Sequence, residues 1–542
     1  MDTAGSAAKN VKSKEFFYAA TGAEIDVLAA VRDIMALFKL TYAGGWPEGA
    51  ALTKLGGSSF LVAVAVSPAG AEVAVKVTVS NCDSDGNSQS QSACQTRPVP
   101  PAGGKNAGRE DVTGVARHLV RLTLLLLMRK ITAKNPAPWG ILRGVRPTKI
   151  AHRLLDQGES CHNIISRLVE DYGIEPAKAE LVTGIAIHQR PMLARPGHLA
   201  DGKKISIYIG IPYCPSRCLY CSFPAYVLPE RREQLDAFLR AITKDIQSTA
   251  KLVAKYGLAV ESIYVGGGTP TSLTATDLNN LLQLIKCAFW GAETKEWTVE
   301  AGRPDSVNDE KIDVFRHNGV NRVSINPQTM QNKTLKQIGR RHSVQDIIDI
   351  FGKIRRAAIP VINMDVIAGL PGETAADMDD TMRQIVALNP ENITIHTLAL
   401  KRGSILKESL NSGIINEQVL PNEETTQAML QLATQYTASM DMHPYYLYRQ
   451  KYMTGNFENV GYAKPGTDCI YNIQIMEERQ TIIGIGPAAG TKAVSHQGVW
   501  RLQSCYNAKD VFAYIANLDN YLCERNTLLS RLYGDHKEDS LC

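Results

Sequence analysis

Six short runs, Ile205–Gly210, Ser262–Gly267, Trp297–Gly302, Arg322–Pro327, Val361–Gly369 and Asn392–Leu400, each followed by a helical stretch, restrict this chain more than any other feature. Strands separated by helices pair parallel, because a parallel neighbour is reached only through a crossover, and such crossovers are right-handed. The helix predicted after the first run has the spacing needed to lie on a sheet, with Leu235, Phe238, Leu239, Ile242 and Ile246 on one face. The pattern predicts an α/β fold whose core is an incomplete (β/α)6 barrel. In such sheets ligands gather at the carboxyl ends of the strands, so polar residues just past each run are the first candidates for chemistry.

Around that core the reading is coarser. Residues 1–135 are predicted as an N-terminal α+β domain, with a helix near Ala23–Leu40 and a hairpin of Ser59–Val66 and Ala71–Val79 around Pro68-Ala69-Gly70. The Ser-, Gln-, Asn-, Gly- and Pro-rich stretch 81–110 is predicted as a flexible loop, since such a composition buries too little apolar surface to offset ordering entropy. Residues 136–199 read as a helical connector, 200–405 as the barrel core, and 406–542 as a C-terminal extension covering the substrate. The 542 residues are 44% hydrophobic with a net charge of +5, which suits a globular chain and excludes a disordered or dedicated nucleic-acid-binding one. The apolar run Leu122–Met128 is far too short to cross a bilayer, and residues 1–30 lack a secretory pattern. A cytoplasmic protein without membrane or nucleic-acid partners is expected. The 11 cysteines, an odd number spread along the chain, do not form a disulfide framework and fit a reducing compartment.

Three of the cysteines stand together just past the first run, in Cys214-Pro215-Ser216-Arg217-Cys218-Leu219-Tyr220-Cys221. Thiolates at this spacing on a loop can hold three irons of a 4Fe-4S cube and leave the fourth iron open to a cofactor or substrate. Zinc is the alternative, although it takes paired C-x-x-C knuckles or a His partner to reach four ligands, and neither is close by. Past the second run comes Gly266-Gly267-Gly268-Thr269, whose glycines permit close backbone approach to a charged amino-acid moiety. Glu300 lies in the third run, Gln328 and Arg340 follow the fourth, and Asp365 lies in the fifth. Each alone reads as a solvated or salt-bridged residue; sharing a rim with the cysteine loop, they read as a site.

These residues resemble the radical S-adenosylmethionine (SAM) enzymes, specifically the oxygen-independent coproporphyrinogen III oxidase group and its HemZ-type branch. The resemblance covers roughly Pro138 to Ala489. It is carried by Ser206-Ile207-Tyr208-Ile209-Gly210-Ile211-Pro212, Cys221-Ser222-Phe223-Pro224-Ala225-Tyr226, Thr298-Val299-Glu300-Ala301-Gly302-Arg303-Pro304-Asp305 and Ser324-Ile325-Asn326-Pro327-Gln328. Asn363-Met364-Asp365 through Gly372-Glu373, Pro444 through Lys451, and Thr481 through Gly486 continue it. It implies a radical SAM barrel in which Cys214, Cys218 and Cys221 ligate a 4Fe-4S cluster, with no further catalytic residue assigned. Tyr208, Gly267 and Glu300 match positions that hold the cluster-bound SAM. Gly268, Thr269, Gln328, Arg340, Asp365 and Ala399 match positions that contact a second SAM. Tyr220, between two cluster ligands, is a stacking candidate.

The implied reaction is oxidative decarboxylation of two propionates of coproporphyrinogen III to vinyl groups, giving protoporphyrinogen IX with a reductant such as flavodoxin or ferredoxin. Arg217, Arg303, Lys401, Arg402, Arg449 and Lys451 are the cations expected near a tetra-anionic tetrapyrrole. Phe223 stands where the best-characterised oxidases carry a further cysteine. A heme chaperone using the same cluster and SAM without turnover shares the triad, and a purely structural cluster is a third reading.

Overall fold

The computed structural model describes residues 15–22, 25–45, 59–69, 71–82, 88–99, 111–142, 144, 146–194, 202–223, 225–450, 453–495 and 501–534. The chain divides into two compact units, Met1–Arg143 with Cys161–Glu180, and Gly144–Ser160 with Leu181–Cys542.

In the first unit, β1 (Glu15–Gly22), α1 (Leu28–Leu37), β2 (Thr41–Gly45), β3 (Ser59–Ala69), β4 (Glu72–Cys82) and β5 (Ser88–Pro98) precede the long helix α2 (Val112–Thr132). The sheet order is β2-β1-β3-β4-β5. Alternation along β3 and β4 turns Val62, Val64, Val66, Val73, Val75, Val77 and Val79 to one face. There they share a core with Leu119, Leu122, Leu125 and Met128 of α2.

Strand β5 corrects the reading of 81–110 as a flexible loop: Ser88–Pro98 pairs antiparallel with the whole of β4. Its stability comes from the ladder and from hydroxyl pairs such as Thr78 Oγ1 with Ser92 Oγ (2.7 Å) and Ser80 Oγ with Ser90 Oγ (2.6 Å). A polar edge strand held this way leaves no apolar trace in its composition. Residues 83–87 and 100–110 of that stretch lie outside the described residues.

Next come α3 (Thr148–Asp156), α4 (Cys161–Tyr172) and α5 (Pro176–Gln189). The second unit is built on an 11-stranded sheet. Its centre is β6 (Lys204–Ile211), β9 (Ala259–Gly267), β10 (Glu296–Glu300), β11 (Arg322–Gln328), β12 (Val361–Ala368) and β13 (Asn392–Thr397), every neighbouring pair parallel. The two-residue strands β7 (Tyr213–Cys214) and β8 (Tyr226–Val227) pair separately. Helices α6 (Arg232–Lys255), α7 (Ala275–Phe289), α8 (Asp309–Asn318), α9 (Asn332–Gln337), α10 (Val344–Arg356) and α11 (Ala375–Leu388) lie in the crossovers. Since α9 and α10 share one crossover, these helices fill five, and the helix at Ile405–Asn411 after β13 completes the six β/α units of the expected incomplete barrel. Several helices start on caps legible in the chain: Thr274 for α7, Asn308 for α8, and capping boxes of Ser343 with Asp346 and Thr374 with Asp377 for α10 and α11.

After α12 (Ile405–Asn411) and α13 (Glu423–Ser439), the C-terminal region enters the sheet. β14 (His443–Tyr448) and β15 (Asn459–Ala463) add antiparallel beyond β13, and β16 (Thr481–Ile485) pairs parallel with β6, followed by antiparallel β17 (Gly490–Ser495) and β18 (Arg501–Tyr506). An open parallel sheet has two unpaired edges, and this region covers both. Helices α14 (Ile470–Glu477), α15 (Val511–Ala516) and α16 (Leu518–Tyr533) complete the unit. Buried Arg525 of α16 pairs with Asp245 of α6 and donates to Gly484 O at 2.7 Å, while Gly486 N and Tyr514 Oη donate to Asp245 Oδ2. Among the described residues, no helix is long and apolar enough to cross a membrane.

Candidate functional site

The carboxyl end of β6 sets the site. Beyond Ile211, Tyr213 and Cys214 pair with Tyr226 and Val227, and Tyr226 N donates to Pro212 O at 2.8 Å, so the cysteine loop is clamped where it begins and ends. Within the loop, Leu219 N donates to Ile338 O (2.9 Å) and Leu219 O accepts from Leu406 N (2.8 Å), fixing it to segments that follow β11 and β13. Cys218 is buried, Cys214 and Cys221 half-buried, and all three are free thiols. Burial pushes the Cys214 thiol up to about 11 and raises Cys221 as well, so thiolates here require a cation. The three sulfurs are not gathered as ligands of one ion: among the described residues the one trio of ligand atoms within 4.8 Å of one another lies elsewhere.

Arg303 braces the loop from β10's side. Its guanidinium donates to Ser216 O (3.1 Å) and Ser216 Oγ (2.8 Å) and reaches Cys218 Sγ at 3.5 Å, while Asp305 accepts from its Nε and Nη2. Burial would raise Asp305, but hydrogen bonds from His342 and Arg303 hold its carboxyl far below the usual range. Arg303, expected near substrate, is instead committed to the loop. Arg449 is likewise buried, donating to Asn456 O at 3.0 Å. Arg217 and Arg402 are exposed, Lys401 Nζ lies 5.8 Å over the Phe223 ring, and Lys451 lies outside the described residues.

The glycine turn after β9 lies against the root of this loop. Gly268 N donates to Ile211 O (2.6 Å) and Thr269 N to Tyr213 O (2.7 Å), and Thr269 Oγ1 stands 3.4 Å from Cys214 Sγ. Side chains are excluded here: a Cβ on Gly268 would meet Tyr213 O at 2.6 Å, and one on Gly266 would meet the Glu300 carboxyl at 2.8 Å. Gly267 takes φ +106°, a conformation natural only to glycine.

Alternate residues of the parallel strands form one polar inner face. Tyr208 is registered with Tyr264, Glu300 with Ser324, Ser324 with Asn363, and Asp365 with Thr394. Tyr264 Oη donates to Glu300 Oε1 at 2.7 Å, and Tyr208 and Tyr264 stack with Tyr471, centroids 5.9 and 4.5 Å away. Burial, reinforced by the charge of Asp365, pushes Glu300 up to about 7 despite hydrogen bonds from Tyr264 and the Gly267 N–H. Further round, Arg340 donates to Gly302 O (3.1 Å), Asn326 O and Tyr220 Oη (3.2 Å). Asn363 Nδ2 donates to Ser324 Oγ (2.7 Å) and Asp365 Oδ1 (2.8 Å). His396 Nε2 lies 3.6 Å from Asp365 Oδ2, and its Nδ1 is 3.1 Å from Tyr448 Oη. Burial pushes Asp365 up, but hydrogen bonding to His396, Asn363 and Thr394 keeps it below the usual range.

Buried Gln328 Oε1 and Arg340 Nε have no hydrogen-bond partner, and Gln328 holds φ +69°, strained for a residue with a side chain. Ala399, expected as a weaker contact, forms a single bridge with Met453 just past β13. Sequence reasoning missed Tyr264, Tyr471, Asn326, His396 and Tyr448. For Tyr264, Asn326 and His396 the signal was present: polar residues at every second position of otherwise apolar strands.

Residues 208–385 match the Radical SAM superfamily. A protein of Bacillus subtilis strain 168 named oxygen-independent coproporphyrinogen-III oxidase-like protein HemZ is 39% identical over 415 residues, 76% of this chain and 80% of its own length. The chain belongs to the radical SAM family, in its HemZ-type branch. Radical SAM proteins hold a 4Fe-4S cluster and SAM, and these are the cofactors of this chain too; the triad, the glycine cradle and the partnerless atoms fit them. The heme chaperone HemW of the same Bacillus is similar at 28% identity over 54% of this chain and 73% of its own. The coproporphyrinogen III oxidase HemN of Escherichia coli, titled a radical SAM enzyme, is 20% identical over 64% of this chain and 79% of its own, with a TM-score of 0.48.

Proposed function

We propose that this chain oxidatively decarboxylates two propionates of coproporphyrinogen III to vinyl groups, giving protoporphyrinogen IX. The supporting observation is the hydrogen-bonded inner face that runs from the cysteine loop through Arg340, Asn326 and Asn363 to Asp365 and His396, ending on unmet polar atoms at Gln328 and Arg340. A reaction needs such preorganised dipoles around the reacting centre.

In this reading Cys214, Cys218 and Cys221 hold three irons, and Arg303 offsets thiolate charge while fixing the loop. The glycine turn and Glu300 hold one SAM with Tyr208. Gly268, Thr269, Gln328, Arg340, Asp365 and Ala399 surround a second polar guest. Cluster and SAM together supply one-electron chemistry that removes hydrogen from an unactivated C–H. The tyrosine stack and the apolar backing of the strands keep water from that chemistry. Arg217, Lys401 and Arg402 flank the mouth, where cations suit propionates. A one-electron donor such as ferredoxin or flavodoxin is required.

Heme carriage without turnover is the second reading, favoured by the HemW likeness and by exposed Phe223 in place of a cysteine. Anaerobic incubation with coproporphyrinogen III, SAM and a reductant separates the two. The oxidase releases two CO2 per protoporphyrinogen formed. Tight heme binding with transfer to an apo-cytochrome, and no vinyl product, establishes the carrier instead.

A further inference from the structure

The trio of ligand atoms noted above is His188, His443 and Asp468. His188 is the penultimate residue of α5, His443 opens β14, and Asp468 precedes α14. All three belong to the second unit. Through Ala463, His443 is in register with Asn392, the first residue of β13, so the trio stands at the amino end of the sheet, whereas the cysteine loop leaves the carboxyl end of β6.

The distances pose a proton problem. His188 Nε2 is 3.0 Å from His443 Nε2 and 3.0 Å from Asp468 Oδ2, and His443 Nε2 is 3.0 Å from Asp468 Oδ1. Each contact needs one proton between its atoms. If both nitrogens carry protons, each N–H donates to the carboxylate and the 3.0 Å contact between the nitrogens is left with no proton between its atoms. If one nitrogen carries a proton, the other turns a lone pair on the carboxylate. If neither does, every contact is repulsive. A cation removes the conflict, because each group then offers an electron pair to it.

The chain beside two of the groups is also held in place. Gln189, next to His188, donates to Tyr445 O of β14 at 2.9 Å and meets His152 Nε2 at 2.8 Å. Thr467, next to Asp468, accepts at its carbonyl from Arg322 (2.9 Å) and Asn392 (3.0 Å). These bonds fix the backbone from which His188 and Asp468 project.

We propose that His188, His443 and Asp468 bind one divalent transition-metal ion, with zinc the best match. Two imidazoles and a carboxylate are zinc chemistry, with ligand bonds of about 2.0–2.2 Å, whereas calcium and magnesium take oxygen ligands. Asp468 also lines a cavity of about 510 Å3 with Arg190, Lys204, Glu261 and Gln480, and the half-buried imidazoles of His188 and His443 leave water access to the trio. The ion joins the end of α5 to β14 and to the β15–α14 connection, at the barrel end where residues serve stability rather than turnover.

The test is elemental analysis of the full chain, anaerobically cluster-loaded, incubated with Zn2+ and desalted, so that iron reports the cluster and zinc the trio. About one zinc per chain is expected. The Cys214→Ala/Cys218→Ala/Cys221→Ala chain should keep that zinc and lose its iron. In His188→Ala and Asp468→Asn the iron should stay and zinc affinity fall more than about 100-fold, since even outer partners of metal ligands are worth about 10–100-fold. Cobalt titration of the triple-cysteine variant should give d–d bands without thiolate charge transfer. Absence of retained zinc in the cluster-loaded chain, or zinc retention unchanged in folded His188→Ala, overturns the proposal.

Discussion

The guanidinium of Arg303 stands 3.5 Å from Cys218 Sγ while gripping the backbone and side chain of Ser216 two residues earlier. One buried fork thus sets both the shape of the cluster loop and the charge beside one of its thiols. Removing it should unmake the loop rather than the barrel. Arg303→Ala is expected to lose most reconstituted iron and about 2 kcal/mol of stability while keeping its secondary structure. Arg303→Lys should not restore the iron, because an ammonium cannot span Ser216 and Asp305 together. Iron content and circular dichroism measured side by side check this.

Neighbouring glycines should fail differently. Gly268→Ala drives a Cβ to 2.6 Å from Tyr213 O, next to Cys214, and is expected to abolish cluster loading. Gly266→Ala presses on Glu300 and Tyr264, each 2.8 Å from the new Cβ, and should keep the cluster but weaken SAM binding by about tenfold or more. Iron analysis and anaerobic SAM titration distinguish them; equal iron loss in both would contradict the assignment.

The pH dependence of SAM binding should report Glu300, whose pKa is pushed up to about 7 by burial and Asp365. Below that value the carboxyl is neutral; above it, anionic and able to attract a sulfonium. Affinity should therefore rise by about tenfold between pH 6 and pH 8. By reciprocity, bound SAM should lower the Glu300 pKa. Glu300→Gln is expected to flatten the profile, and a wild-type profile equally flat would refute the role given to Glu300.

The pair Asp245–Arg525 fastens α16 to α6 and to the Gly484–Gly486 turn. Arg525→Met leaves a buried carboxylate unpaired and should cost about 3–5 kcal/mol. Denaturant unfolding of the apo chain measures it. Asp245→Asn/Arg525→Met should recover part of the loss.

The barrel was legible because short β-branched runs alternate with stretches of helical periodicity, and the cysteine loop because its functional residues are contiguous. Tyr264, Asn326 and His396 come one from each of three strands, and only strand register makes them neighbours. Tyr471 and Tyr448 reach the site from a region whose strands add to the sheet edges, a tertiary arrangement with no local signature. Strand β5 was hidden for a different reason: its ladder and hydroxyl pairs stabilise it without apolar residues.

The central claim is a cluster held by Cys214, Cys218 and Cys221 with one iron open to SAM. Anaerobic reconstitution followed by electron paramagnetic resonance of the reduced protein, with and without SAM, tests it most directly. About four irons per chain and a spectrum that changes when SAM is added are predicted. Zinc at these three thiols, or a cluster spectrum indifferent to SAM, would contradict it.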